Sequence, residues 1–362
     1  MNDETTAMVP FRPGWTEALL RWYRSRRRDL PWRDDPDPYR ILVSEIMGQQ
    51  TRMSVLVPYF ERFVQRLPSV ADLAAVDDDV LFKLWEGLGY YRRAVNLKKA
   101  AVLVMERHGG VIPDTREGLL ALPGVGAYTA GAILSIAFGV FEPAIDGNVR
   151  RVIARQFGID QSPESAEGSA SIESIVRRHA PAGESADYTQ ALMELGALVC
   201  LPNGAPLCDS CPGRDGCVAR RDDRIGELPV RAAKKARRIE PMTILAIRTD
   251  DGSILFERRP AGGLLAGMRG LHAIPGTLSI DELTRYCEHR GISVESIVKL
   301  ASRKHVFTHV EWHMTGYLAT VRGPLPSQAG ETFTPAEIVS GVAVASAFQG
   351  FLAEILRLPQ AS

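Results

Sequence analysis

Four of the five cysteines in this 362-residue chain fall within eighteen residues, as Cys200-x7-Cys208-x2-Cys211-x5-Cys217, and that cluster constrains the fold more than any other feature. Disulfide frameworks are spread through small secreted domains, so one tight cysteine group in a long chain fits metal binding better. Four thiolates from one compact loop match the ligand count of a 4Fe–4S cluster. Zinc is the main competitor, but structural zinc sites more often use two separated cysteine pairs, and a single C-x2-C occurs here. Cys287 stands apart.

The cysteine loop follows a long helical region. From Trp15 to about Ala219 apolar residues recur at three and four positions, with Gly or Pro punctuation between segments. Packed helices are expected over Ile41–Leu67, Asp79–His108, Thr129–Phe138 and Tyr188–Cys200. Beyond Cys217 the chain is charged and rich in breakers through Glu240, which marks a linker. The period then changes. Met242–Thr249 and Ser253–Arg259 are β-rich runs joined by Asp250-Asp251-Gly252, and His305–Val321 alternates like a strand or strand pair. Ser279-x-x-Glu282 and Thr334-Pro335-x-Glu337 open helices with capping boxes. The expected organisation is an all-α region over residues 1–220, a charged linker over 221–240 and an α+β domain over 241–362, consistent with a length beyond what one core organises.

Forty-three basic residues balance forty-three acidic ones. The whole-chain sum hides local concentrations: Arg21, Arg24, Arg26, Arg27, Arg28 and Arg33 face a single acid, Asp29, and Arg231–Arg238 is a second basic run. Each is either a solvated surface or a phosphate-contacting one. No apolar run approaches the roughly 20 residues that span a bilayer, and Met1–Phe11 is polar and acidic, unlike a secretory signal. A cytoplasmic protein with no membrane partner is expected.

Three places could carry chemistry. Leu122-Pro123-Gly124-Val125-Gly126 joins two helical segments, and its glycines permit a tight turn that aims amides at an anion from a helix N-terminus, although an ordinary helix–helix turn reads the same way. Asp146, in Glu142-Pro143-Ala144-Ile145-Asp146-Gly147-Asn148, is placed to cap the helix through Phe157. Capping alone explains an Asp there, yet a carboxylate held by helix-terminal amides could also face a developing cation. Glu45 lies in the apolar helical run Ile41–Met47, where burial would raise its pKa and keep it protonated as a general acid; an exposed amphipathic face is the plain alternative.

Together, several segments resemble the MutY family of adenine DNA glycosylases, within the helix-hairpin-helix superfamily. They are Leu30-Pro31-Trp32-Arg33, Ser44–Met47 with Gln49-Gln50-Thr51, Gly87–Tyr91, Leu122–Gly126, Asp146–Arg151, and Met193–Ala197 leading into Cys200. The resemblance implies Glu45 as the acid that protonates adenine N7 and later activates water, and Asp146 as the carboxylate that stabilises or captures the oxocarbenium ion. It places Tyr128 and Asn148 beside them, Trp32, Arg33 and Gln190 at the adenine, and Gln50 and Tyr90 in the base stack, offsetting the cost of extruding a nucleotide. It also implies that Cys200, Cys208, Cys211 and Cys217 hold one 4Fe–4S cluster. Tyr23, Tyr91 and Trp85 receive no role and are expected in the core.

Relatives that also cleave the strand use a lysine after the hairpin as an imine-forming nucleophile. This chain has Tyr128 there, so base removal alone is expected. The C-terminal domain resembles a Nudix-like domain that reads 8-oxoguanine, without the R-E-x-x-E-E box of pyrophosphatases, and Phe307-Thr308-His309 matches the loop that contacts the oxidised base. Three departures stand out: the x7 cysteine spacing where x6 is usual, Gly48 before Gln49-Gln50, which could loosen a helix by about 1 kcal/mol, and Thr308 in place of Ser. The expected partner is duplex DNA with A:8-oxoguanine or A:G mispairs, bound by a monomer. A thymine-mismatch glycosylase, an endonuclease III-like glycosylase/lyase and a non-enzymatic DNA-binding module are the alternatives.

Overall fold

A computed structural model of the protein describes residues 10–230, 236–260, 262–326 and 328–359. Most of the N-terminal stretch Met1–Phe11 and much of the basic run Arg231–Arg238 therefore lie outside the described residues.

The helical half comprises α1 (Trp15–Arg26), α2 (Pro38–Gly48), α3 (Met53–Arg66), α4 (Val70–Ala75), α5 (Asp78–Trp85), α6 (Arg92–His108), α7 (Arg116–Leu120), α8 (Ala127–Ala137), α9 (Gly147–Phe157), α10 (Ala166–Arg178), α11 (Ser185–Leu198) and α12 (Val218–Arg221). Two expected helices are each broken. Ile41–Leu67 divides at Gln49–Arg52, and Asp79–His108 divides at Glu86–Tyr91. Apolar periodicity runs through both gaps, but the backbone turns at Gln50 (φ 57°) and Tyr90 (φ 48°), left-handed conformations that non-glycine residues rarely adopt. Gly48 closes α2 instead of weakening its middle, so the expected loosening does not arise.

By compactness the chain divides into two units, Met1–Ala75 with Asn96–Ala233, and Val76–Val95 with Lys234–Ser362. Composition gives no sign that a helical segment leaves residues 1–220 to join the C-terminal unit. In the first unit α1, α9, α10 and α11 share a core of Leu19, Tyr23, Val152, Ile153, Ile172, Tyr188 and Leu195, each an apolar face at helical spacing. Helix α8 packs on α2, α7 and α11, and it is apolar nearly all round because it is buried on several sides.

The second unit holds β1 (Arg238–Arg248), β2 (Ile254–Arg258), β3 (Arg269–Gly270), β4 (His272–Pro275), α13 (Ile280–His289), β5 (Val294–Lys299), β6 (Arg303–Val306), β7 (Val310–Val321), β8 (Glu331–Phe333), α14 (Pro335–Ser340) and α15 (Ser346–Ile355). The sheet path is β3-β2-β1-β7-β5, with β1 and β7 parallel from Arg238↔Val310 to Arg248↔Thr320. Leu283 and Cys287 of α13 pack with Leu245, Ile247 and Ala319, so the lone cysteine is a core residue. Phe351 of α15 seats on Gly316, where a Cβ would stand 2.4 Å from its ring. The β1–β2 hairpin, the β6–β7 pair and both capping boxes are present as expected. Strands β3, β4, β5 and β8 have no counterpart in the sequence reading. Trp85, Tyr23 and Tyr91 are all buried.

Candidate active site

A cavity of about 960 Å³ opens in the first unit, walled by α2, α8, α9, α11 and the Leu30–Arg33 segment. Glu45, Tyr128, Asp146, Asn148, Trp32, Arg33, Gln50 and Gln190 all line it, so eight of the residues singled out in the sequence converge on one space. The Leu122–Gly126 hairpin lies apart from that wall, at the start of α8. Tyr90 and Phe307–His309 belong to the second unit.

Glu45 sits midway along α2 between Ser44 and Ile46, both buried. Protein encloses the carboxyl on the cavity wall, and this desolvation pushes its pKa up to about 7. The Tyr128 hydroxyl, which contacts Met193 Sδ at 3.8 Å, stands near enough to the carboxyl to restrain the rise, while the charge of Asp146 adds to it. The Tyr128 phenol is itself held well above its ordinary range by burial and by the two carboxylates.

Asp146 caps α9 as expected. Its Oδ1 accepts the Val149 N–H at 2.7 Å and its Oδ2 accepts Asn148 Nδ2 at 2.8 Å. Burial nonetheless outweighs these bonds and moves the carboxyl upward, so capping alone does not keep it as acidic as the sequence suggests. Asn148 is fixed in turn, since Arg151 donates to its Oδ1 at 2.8 Å and to the Gly196 and Cys200 carbonyls at 2.8 and 2.7 Å. Gly196 is required there, because a Cβ would lie 2.5 Å from that of Asn148.

Arg28 and Glu194 are cavity residues that sequence reasoning left without a role. Arg33, with 6% of its side chain exposed, pairs with Glu194, 1% exposed, at 2.9 Å and donates from Nε to Gln190 Oε1 at 3.0 Å. Arg28 completes the clamp at 2.7 Å. Burial would raise the Glu194 carboxyl, but hydrogen bonds from Arg28 and Arg33 overcome it and hold the group at about 2. The partners are more than 160 residues apart in the chain, so no local pattern reveals the pairing.

At the hairpin, Leu122 and Val125 are buried while Gly124 (φ 85°) turns at the surface, its missing Cβ leaving room for Asn96 at 2.9 Å. Gly126 caps α8 without a side-chain bond, so the first N–H groups of α8 are available to an anion. The four clustered cysteines line a second cavity with Arg155 and Gln156. Arg155 approaches Cys200 Sγ at 3.5 Å and Gln156 Nε2 approaches Cys211 Sγ at 3.6 Å. The longer first spacing is absorbed in the 201–207 loop, closed by Leu207 N to the Val199 carbonyl at 2.9 Å. In the second unit Phe307 begins the β6–β7 turn and stacks edge-on with Trp312 at 4.9 Å, leaving Thr308 and His309 exposed at its tip.

Residues 43–178 match the family described as HhH-GPD superfamily base excision DNA repair protein, and residues 243–354 match the NUDIX domain. An adenine DNA glycosylase of Buchnera aphidicola subsp. Baizongia pistaciae is 31% identical over 299 residues, covering 81% of this chain and 82% of its own. The human adenine DNA glycosylase is 42% identical over 213 residues, covering 56% and 39%. Among solved structures, a thermostable thymine-DNA glycosylase superposes with a TM-score of 0.52 at 30% identity, over 57% of this chain and 95% of that one. Endonuclease III bound to DNA shares the helical fold, at a TM-score of 0.50 and 23% identity over 57% and 94%. With a helix-hairpin-helix core, a Nudix-like second unit and a relative similar across four-fifths of both chains, this protein belongs to the adenine DNA glycosylase family.

Proposed function

We propose that the protein hydrolyses the N-glycosidic bond of adenine mispaired with 8-oxoguanine or guanine in duplex DNA, leaving an abasic site. The carrying observation is the pair of carboxyls in one cavity. Glu45 is pushed up to about 7 by burial with Tyr128 near it, and Asp146 caps α9 on the same cavity. A carboxyl near 7 is protonated often enough at neutral pH to donate to adenine N7 as the bond to the sugar breaks. Asp146 stands where it can meet the oxocarbenium ion, whose positive charge draws its pKa back down, and Asn148 holds its orientation. The Glu45 carboxylate left behind then activates water. Trp32, Arg33 and Gln190 form the adenine wall, and Gln50 enters the stack from its strained turn. Tyr90 does the same from the second unit, where Phe307, Thr308 and His309 read the oxidised guanine.

Tyr128 in the lysine position gives no imine-forming nucleophile, so strand breakage awaits alkali. The likeness to a thymine-DNA glycosylase favours a second reading, thymine release, but it covers 57% of this chain. Single-turnover incubation with duplexes carrying A or T opposite 8-oxoguanine or G, before and after alkali, separates them. Adenine release from the 8-oxoguanine pair, with cleavage only after alkali, is expected. Its absence overturns the proposal.

The four cysteines are read as ligands of one 4Fe–4S cluster. Among the described residues no group of three or more His, Cys, Asp or Glu side chains is arranged to hold a single metal ion, yet the four sulfurs line one cavity. Four thiolates on one cavity match the ligand count of a single cluster. When bound, the cluster would clip the loop after α11 to α9. Iron and sulfide analysis of anaerobically purified protein should find about four of each per chain; a colourless protein with one zinc overturns the assignment. A monomer working on DNA inside the cell completes the reading. Among the described residues no helix is long and apolar enough to cross a membrane.

A further inference from the structure

Helix α5 is tied at its first turn to the sheet of its own unit, and just past its last turn to the segment ahead of α15. Asp79, in its first turn, pairs with Arg269 of β3 and lies 3.6 Å from Arg258 of β2. Both arginines also reach Glu331 of β8, at 2.7 and 4.0 Å. Arg269 is 15% exposed and stands 5.3 Å over the Phe333 ring, so the guanidinium that holds Asp79 is itself fixed by the sheet. Just past the other end of α5, Glu86 accepts the Val344 N–H at 3.2 Å, directly ahead of α15.

Tyr90 follows four residues later, and its surroundings are stiff. The Gly89 carbonyl accepts the Trp85 indole N–H at 3.1 Å and Arg93 at 3.2 Å, and the Arg93 guanidinium lies 5.5 Å from the Tyr90 and Trp85 rings. Tyr90 is left-handed and 48% exposed. A bulky residue in that conformation persists only where its surroundings over-determine it. The chain of contacts from Arg269 through α5 to Tyr90 is therefore continuous and offers little slack.

We propose that Asp79 and Glu86 are positioning residues through which the C-terminal sheet sets the stance of Tyr90, so that the stacking side chain and the Phe307–His309 turn act on DNA as parts of one body. This rests on the reading of Tyr90 as a residue that enters the base stack. Loosening the tie weakens engagement of the damaged pair while leaving the chemistry at Glu45 intact.

The test uses full-length protein and a duplex with an A:8-oxoguanine pair, 2-aminopurine beside the 8-oxoguanine reporting unstacking. Asp79→Ala should bind about three- to tenfold more weakly and give a smaller fluorescence rise at saturation, with a saturated single-turnover rate within about twofold of wild type. Asp79→Glu should restore both. Glu331→Ala removes a carboxylate from the same two arginines without touching α5 and should leave binding within about twofold. In a Tyr90→Ala background, Asp79→Ala should add nothing. An equal loss in that background, or an equal effect of Glu331→Ala, overturns the proposal. Tyr90→Ala binding and unstacking DNA like wild type rejects the stacking role itself, and the proposal with it.

Discussion

The Tyr128 hydroxyl, in the first turn of α8, donates to Met193 Sδ at 3.8 Å and stands near enough to the Glu45 carboxyl of α2 to draw its pKa down. That influence favours the ionised carboxylate and so opposes the burial that keeps Glu45 protonated. Tyr128→Phe removes the opposition. The Glu45 pKa should rise, and the alkaline limb of the single-turnover pH profile should move upward by about one pH unit. A limb that stays in place or moves down would show that the hydroxyl does not tune the acid.

Glu45→Gln should lower the single-turnover rate by about 10² to 10⁴-fold while DNA affinity is retained, because the amide fills the same space but has no acidic proton to give. The same substitution should stabilise the protein above neutrality. The carboxyl rises from 4.5 to about 7 on folding, so the native state resists ionisation and loses stability as pH climbs from 4.5 to 7. Gln never ionises. Urea titrations at pH 4 and pH 8 should give nearly equal stabilities at the first and an advantage of roughly 3 kcal/mol for Gln at the second. Equal stabilities at pH 8 would mean that solvent reaches the wild-type carboxyl freely.

Glu194→Ala should be costlier for folding than its distance from Glu45 and Asp146 suggests. It strands Arg33, which is almost wholly buried, and uncompensated buried charge costs about 3–5 kcal/mol. Acid should have a parallel effect on the wild type. The Glu194 carboxyl falls from 4.5 to about 2 on folding, so its contribution is complete above 4.5 and is lost as pH drops through 2. Denaturant midpoints for wild type and variant should therefore converge toward pH 2. A constant gap down to that pH would locate the cost elsewhere.

The helices were legible because each buries an apolar stripe, and the capping boxes because Ser279 and Thr334 act within one turn. The breaks at Gln50 and Tyr90 were not, since positive φ at a non-glycine residue is imposed by surroundings. Strand β5 alternates weakly, exposing most of its residues at the sheet edge, so its sequence carries little burial signal. For the site, Glu45 and Asp146 each had a plain structural explanation, and only their shared cavity with Tyr128 separates the readings. The pairing of Arg28 with Glu194 was not legible, because an ion pair across the fold leaves no trace in periodicity.

Gly131 offers a test of how closely that geometry is held, away from any ionisable group. It lies inside α8, one turn beyond Tyr128, against the loop that leads into Asp146, and a Cβ there would stand 2.4 Å from the Pro143 carbonyl oxygen. In an open helix Gly→Ala gains about 1 kcal/mol, yet this contact is backbone against backbone and cannot be relieved by a rotamer. Gly131→Ala must push the 143–146 segment away from α8, which carries Asp146 away from Tyr128 and Glu45. A displacement near 1 Å is worth about 10² in rate. The expected result is destabilisation of about 1–3 kcal/mol together with a single-turnover loss near about 10²-fold, and a downward shift of the alkaline limb, because the Asp146 charge that raises Glu45 moves away from it. A variant that is more stable and fully active would show that the segment carrying Asp146 yields freely, and that its carboxyl need not be held against α8 for the reaction to proceed.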